Sequence, residues 1–209
     1  EFRRVLFRST GEMDLVPEVI NRVLNGERVR LVRDQHFAYD QPEVPRIIST
    51  GRHSAYLKIA EGCSHRCAFC AIPLIRGPYR SRDLRAVVRE AERLAAGGVK
   101  ELNIIAQDTT SYGRDLQPKA SLEILLRELV QLEIPWIRIL YTYPTALSDS
   151  LLDLMAEHEN LLNYVDIPLQ HAAEPIIRRM RRPGSFESYL RLIERIRAKL
   201  PGATIRSSF

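Results

Sequence analysis

The 209-residue chain carries 31 Lys and Arg against 26 Asp and Glu, a formal net charge of +5, and 45% of its residues are hydrophobic. That apolar share suffices for a buried core and excludes a disordered chain. No apolar run reaches the length of a membrane span, and the N-terminus lacks the apolar centre of a signal peptide. Three cysteines leave one over in any disulfide scheme, so a reducing compartment, most simply the cytoplasm, is the default. The basic balance permits a nucleic-acid or ribosomal partner without requiring one, because many of the arginines fall on helix faces.

Residues 1–9 (EFRRVLFRS) match no helix or strand period and are set aside as an assembly or expression scar. Leu15 to Leu24 reads as a short amphipathic helix with Leu15, Val19, Ile20, Val23 and Leu24 on one face and Pro17 near its start. Gly26 to Ile48, charged and broken by Pro42 and Pro45, reads as a linker with short strands around Val29 to Val32. From Ser54 the texture changes to alternating strands and helices. Ala55 to Ala60 is the first strand. Asp83 caps a helix to Ala96 that Gly97-Gly98 stops, and Glu101 to Ala106 is the second strand. Ser121 caps a helix striped by Leu122, Leu125, Leu126, Leu129 and Leu132, and Trp136 to Tyr141 is the third strand. A short helix from Ser148 to Glu157 leads to a fourth strand at Asn163 to Ile167. Helical turns follow Pro175 through Met180, then a longer helix from Ser185 to Leu200, and a fifth strand opens at Ala203. This alternation predicts parallel pairing with right-handed crossovers, in an open sheet or a truncated barrel.

In such folds chemistry gathers where strands end and βα loops begin. The unusual polar residues lie there: Cys63-Ser64-His65-Arg66-Cys67-Ala68-Phe69-Cys70 after the first strand, Gln107-Asp108-Thr109-Thr110 after the second, Tyr143-Pro144-Thr145 after the third and Gln170-His171 after the fourth. All three cysteines stand within that first loop. Thiolates are soft ligands for iron–sulfur clusters and zinc. Two centres fit the pattern: a cubane held at three corners with one iron left open, or a Cys₃His zinc site completed by His65. The second requires His65 to fold back over a very tight loop.

CxxxCxxC with an aromatic residue before its last cysteine, at the end of the first strand of a βα array, resembles the radical S-adenosylmethionine superfamily. The stretches YLKIAEGCSHRCAFCAIPLIRGPYRSR, ELNIIAQDTTSYGRDL, WIRILYTYP and YVDIPLQH are similar to its methylthiotransferases, over about Arg46 to Phe209. The resemblance implies a partial parallel (βα) barrel with about five of six strands present. It implies a [4Fe–4S] cluster on Cys63, Cys67 and Cys70, whose open iron takes S-adenosylmethionine and yields a 5′-deoxyadenosyl radical. It places Phe69 near the adenine and Gln107 and Asp108 near the methionine amino group of the cofactor. Gln170, with His171, stands where the ribose or substrate is expected. Arg76, Arg80 and Arg82 are candidates for the cofactor carboxylate or the reduced cluster, Lys58 for an inward-pointing contact, and Tyr112 and Asp115 for shaping a turn around Gly113.

AQDTT at Ala106 to Thr110 and IPLQHAA at Ile167 to Ala173 favour the branch that adds a methylthio group to an aspartate β-carbon in the twelfth small-subunit ribosomal protein. The alternatives are the branch acting on tRNA adenosine and a zinc-stabilised binding module. The resemblance also implies an N-terminal domain with a second [4Fe–4S] cluster and a C-terminal domain suited to nucleic-acid contact. Neither is expected here. The chain divides on this reading into residues 1–9, residues 10–48 as the tail of an N-terminal domain with its linker, and residues 49–209 as a C-terminally truncated radical domain. Such a fragment is not expected to complete the whole reaction alone. Electron donor, sulfur source and oligomeric state are not legible in the chain.

Overall fold

A computed structural model describes residues 6–7, 15–31 and 51–209 of the chain. Five parallel strands form its frame: β3 (Ser54–Lys58), β6 (Glu101–Ile105), β7 (Trp136–Ile139), β8 (Tyr164–Asp166) and β9 (Thr204–Arg206). They stand side by side in chain order. Leu57 faces Ile104 and Ile104 faces Ile139 across the first three, as Ala55, Leu102 and Ile137 do two residues earlier. The link from β7 to β8 is a single parallel bridge between Ile137 and Leu161, with the Ile137 amide donating to the Asn160 carbonyl at 2.7 Å. β8 then pairs with β9.

Helices cover one face of this array, and period-two alternation explains the asymmetry. Ala55, Leu57, Leu102, Ile104, Ile137 and Ile139 are buried on that side. They lie beneath α3 (Leu84–Ala96), α4 (Leu122–Leu129), α5 (Asp149–Glu157) and α7 (Phe186–Lys199), each of which packs on the next. The other face carries Tyr56, Asn103 and Arg138 in register. There Arg138 donates to Glu101 at 2.9 Å and lies 4.5 Å over the Tyr164 ring, stapling three neighbouring strands. Helices outside and a polar concave face inside make a partial barrel, as expected.

Asp83, Ser121, Ser148 and Ser185 cap α3, α4, α5 and α7 through their side chains, and Ser185 forms a full capping box with Ser188. The expected stripe of α4 overruns the helix. It ends at Leu129 with Val130 as its C-cap, ahead of the turns that lead to Pro135. The hairpin after β3 and the short helix inside it escaped the periodicity. The hairpin of β4 (Ala60–Glu61) and β5 (Arg80–Ser81) pairs antiparallel, and α2 (Ile72–Arg76) lies in the loop it encloses.

Ahead of this frame, α1 (Val16–Leu24) forms as expected but buries only Val19; Ile20 and Leu24 are exposed, so the stripe marks a face without finding a cover among the described residues. Of residues 1–9 the structure describes 6 and 7. β1 (Leu6–Phe7) pairs in parallel with β2 (Arg30–Leu31), in strands too short to show a period. Most of the expected linker lies outside the described residues.

Candidate functional site

The cysteine loop leaves the sheet at the C-terminal end of β3 and returns through β5, so the hairpin closes it like a drawstring. Its first cysteine is held by backbone: the Cys63 amide donates to the Gly77 carbonyl at 3.2 Å, and burial pushes the Cys63 thiol up. A tight turn brings the Cys70 amide to the Cys67 carbonyl at 3.2 Å. Between them the Ala68 amide donates to the Met180 carbonyl at 2.9 Å, tying the loop to the end of α6 (Glu174–Arg179) from the far side of the array.

Around this loop side chains from three strand ends and from the end of α6 interlock. His65 Nε2 donates to Asp108 Oδ2 at 2.7 Å; an ionised carboxylate only accepts. The His65 ring lies flat on Tyr143, centroids 3.6 Å apart and planes within 6°. Arg182 lies over the Tyr143 ring at 4.5 Å, and its Nη1 donates to Cys67 Sγ at 3.8 Å while Nη2 donates to the Pro168 carbonyl. Burial pushes the Tyr143 hydroxyl up to about 12, against the opposing pull of Arg182. Asp108 is 1% exposed. Burial pushes its carboxyl up, but hydrogen bonds from His65, Ser111 and Thr110 outweigh that and hold it below the ordinary carboxylate value.

A second polar cluster sits beneath the loop. Glu61, 4% exposed, pairs with Lys58 and with Arg76 at 3.5 Å. Burial, with Arg76, Arg82 and Arg80 nearby, pushes Lys58 down to about 8. Arg82 serves the fold: it donates to the Lys58 carbonyl and to Glu90, both at 2.7 Å. Tyr112 donates to the Arg82 carbonyl at 2.9 Å, and Asp115 accepts from the Ser81 amide and hydroxyl at 2.8 and 2.6 Å. Both shape the turn that reads SYGRD.

The expected site residues distribute unevenly. Cys63, Cys67 and Cys70 share the loop. Phe69 beside them is 53% exposed. Gln107 is partly buried, and its Oε1 is buried without a hydrogen-bond partner among the described residues. Asp108 is turned inward, with both oxygens accepting hydrogen bonds from His65, Thr110 and Ser111. Gln170 adopts a φ of 76° and donates its amide to the Ser208 carbonyl at 2.8 Å. His171 Nδ1 accepts from the Ala173 amide at 2.9 Å, a local turn ahead of α6. Glu61 and Arg182 escaped the sequence reading, which placed Tyr143 at the end of the third strand without giving it a role. Glu61 interrupts an apolar run just before the loop, which is a usable signal; Arg182, one of four arginines in five residues, offers none.

The turn carrying Arg182 is strained. α6 ends with the Arg182 amide on the Ile177 carbonyl at 3.1 Å and the Arg181 amide on the Arg178 carbonyl at 3.0 Å, a Schellman pair that puts Arg181 at φ 53°. Glycine ordinarily fills that place, and an L-residue there costs about 1–2 kcal/mol. Arg181→Gly is therefore expected to raise stability by about 1 kcal/mol, read from the urea midpoint. An unchanged or lowered midpoint would show that the exposed Arg181 side chain makes up the cost.

A sequence model of the radical SAM superfamily matches residues 57–207, and the chain belongs to that superfamily. Within it the chain is 50% identical over 204 residues to the ribosomal protein uS12 methylthiotransferase RimO of Moorella thermoacetica, and 47% identical over 199 residues to the same-named protein of Gloeobacter violaceus. These alignments take in 97% and 95% of this chain but 47% and 46% of the relatives, so the chain spans about half their length. Among solved structures, the radical S-adenosylmethionine methyltransferase TsrM of Kitasatospora setae matches with a TM-score of 0.57 at 22% identity, covering 75% of this chain and 30% of that one. The cobalamin-dependent radical enzyme OxsB matches at 0.58 and 10%, covering 75% and 23%. These last two likenesses speak for the fold.

The superfamily implies a [4Fe–4S] cluster and S-adenosylmethionine, and the residues fit. Three thiols stand on one loop. Beside them Arg182 Nε is a buried donor without an acceptor, and Gln107 Oε1 a buried acceptor without a donor, among the described residues; buried polar atoms of this kind ordinarily have partners. A single zinc fits poorly. His65 is committed to Asp108 and Tyr143. No three His, Cys, Asp or Glu side chains among the described residues converge closely enough to hold one ion, whereas a cubane takes its cysteines at separate corners.

Proposed function

We propose that this chain is the radical-generating part of a methylthiotransferase that modifies an aspartate β-carbon in ribosomal protein uS12. The observation that carries the reading is the three-thiol loop at the C-terminal end of β3, where the protein supplies three donors and leaves a fourth place open. Cys63, Cys67 and Cys70 would hold the cluster, and Gln107 would meet the amino group of S-adenosylmethionine. When bound, the cluster supplies the electron for reductive cleavage of that cofactor's sulfonium. The protein's part is to hold the loop shut through the β4–β5 hairpin, keep His65 and Tyr143 stacked beside it, and exclude water from the buried carboxylates behind. The names of the relatives favour uS12 over tRNA as the substrate. A second cluster and further domains would belong to the remaining length seen in those relatives, and the electron and sulfur donors lie outside this reading.

Anaerobic reconstitution with iron and sulfide tests it. The expected product is brown, holds about four irons per chain, and releases 5′-deoxyadenosine from S-adenosylmethionine under dithionite. Mass spectrometry of uS12 and of tRNA from cells lacking the full-length gene then separates the substrates. A colourless protein carrying one zinc would end the reading.

A further inference from the structure

We propose that Arg182 tunes the reduction potential of the metal centre at the cysteine loop, acting through the Cys67 sulfur. The assignment rests on the loop carrying a cluster, as proposed above, and adds to it which sulfur is singled out and by what. Cys67 and Arg182 are 115 residues apart, yet Arg182 Nη1 donates to Cys67 Sγ at 3.8 Å. Among the described residues no side chain donates to the sulfur of Cys63 or Cys70, so Cys67 is the thiol that meets a cationic donor.

Three features hold Arg182 to this task. Its Nη2 is anchored on the Pro168 carbonyl, at the exit of β8, and its Cζ rests 4.5 Å from the Tyr143 centroid. The Schellman turn with Arg181 at φ 53° aims the segment back across the strand ends, and the Ala68 amide grips that turn at the Met180 carbonyl. Among the described residues no carboxylate is paired with the guanidinium, and its Nε is a buried donor with no acceptor. A half-buried cation without an anionic partner is unfavourable in a protein built for stability alone. It becomes favourable beside thiolates that acquire further negative charge.

The physics sets the sign. Reduction adds one negative charge to the centre, and a cation with N–H donors on a ligand sulfur stabilises the reduced form more than the oxidised one. Hydrogen bonds to the sulfurs, net charge and exposure are the levers that set such potentials. A charge-assisted bond, discounted for the partial exposure of Arg182, is worth roughly tenfold in the redox equilibrium. Tenfold corresponds to about 59 mV for one electron.

The test is a potentiometric titration of the reconstituted chain, followed by electron paramagnetic resonance, for the parent and for Arg182→Met, Arg182→Gln and Arg182→Lys. Iron content is measured on each sample. The expected result is parental iron in all, a midpoint about 59 mV more negative in Arg182→Met, a smaller drop in Arg182→Gln, and the least change in Arg182→Lys. Parental iron with a parental midpoint in Arg182→Met overturns the assignment. Should Arg182→Met fail to take up iron, the glutamine and lysine variants decide it: a lowered midpoint in glutamine alone supports it, and parental midpoints in both overturn it. Loss of iron in all three variants makes Arg182 a holder of the loop and overturns it as well. If the parent itself takes up no cluster, the proposed function falls, and that outcome is distinct from the others.

Discussion

Replacing Gly62 by alanine is expected to cost about 3–4 kcal/mol of stability and to leave the reconstituted chain with little iron. Gly62 immediately precedes Cys63 and sits at φ 79°, in the left-handed region. A Cβ built on it would stand 2.2 Å from the Pro78 carbonyl oxygen and 2.7 Å from that of Gly77. Those atoms are backbone, so they cannot swing aside. They also belong to the return limb of the loop, where the Gly77 carbonyl receives the Cys63 amide. To admit a methyl group the two limbs must part, which breaks that hydrogen bond and displaces Cys63 from its partners. The left-handed backbone adds about 1–2 kcal/mol and the overpacking about 1–3. Urea unfolding and iron analysis check both halves of the expectation. Full iron with a stability loss under about 1 kcal/mol would mean that the hairpin yields easily and does not hold the loop.

The same glycine shows what could be read in advance. It stands in the motif YLKIAEGC, and the cysteine spacing made the loop legible without any coordinates, because ligand chemistry fixes residue type and local spacing together. The frame was legible for a related reason. Helices start at Asp83, Ser121, Ser148 and Ser185, whose side chains accept backbone amides, and each strand alternates or runs apolar between them. The hairpin was not. Its strands have two residues each, and a period needs more. What escaped at the site escaped by distance: His65 meets Asp108 across 43 residues and Arg182 meets Cys67 across 115. No local pattern encodes such meetings. They follow from parallel strands delivering their C-terminal ends to one rim, which fold class predicts as a place and not as a list of contacts.

Those long-range meetings give the rim its rigidity, and Asp108 is their hub. It binds His65 and Ser111 through Oδ2 and Thr110 through Oδ1, and the Thr110 hydroxyl in turn accepts from the Tyr143 amide at 3.2 Å. One carboxylate thus fixes both members of the His65–Tyr143 stack. Arg182 rests on that stack through the Tyr143 ring, so loosening it moves the donor that faces the Cys67 sulfur.

Asp108→Ala is expected to lower stability by about 3–5 kcal/mol, because it strands the Thr110 amide, two hydroxyls and the His65 ring around a void. Asp108→Asn should cost only about 1–2 kcal/mol. Its oxygen keeps the Thr110 pair, its amide can donate to the Ser111 hydroxyl, and His65 can present an unprotonated Nε2. The two variants therefore separate lost hydrogen bonds from lost charge. The charge has its own signature in pH. The folded Asp108 carboxyl lies below its ordinary value, so its contribution is fully present above the unfolded value of about 3.9. It is lost as pH falls through the lower, folded value. The stability gap between the parent and Asp108→Asn should be level from pH 7 down to about 5 and close below about 4. Urea titrations at stepped pH measure it. A gap that stays open far into acid, or an alanine variant no weaker than asparagine, would show that Asp108 fills space at the rim without organising it.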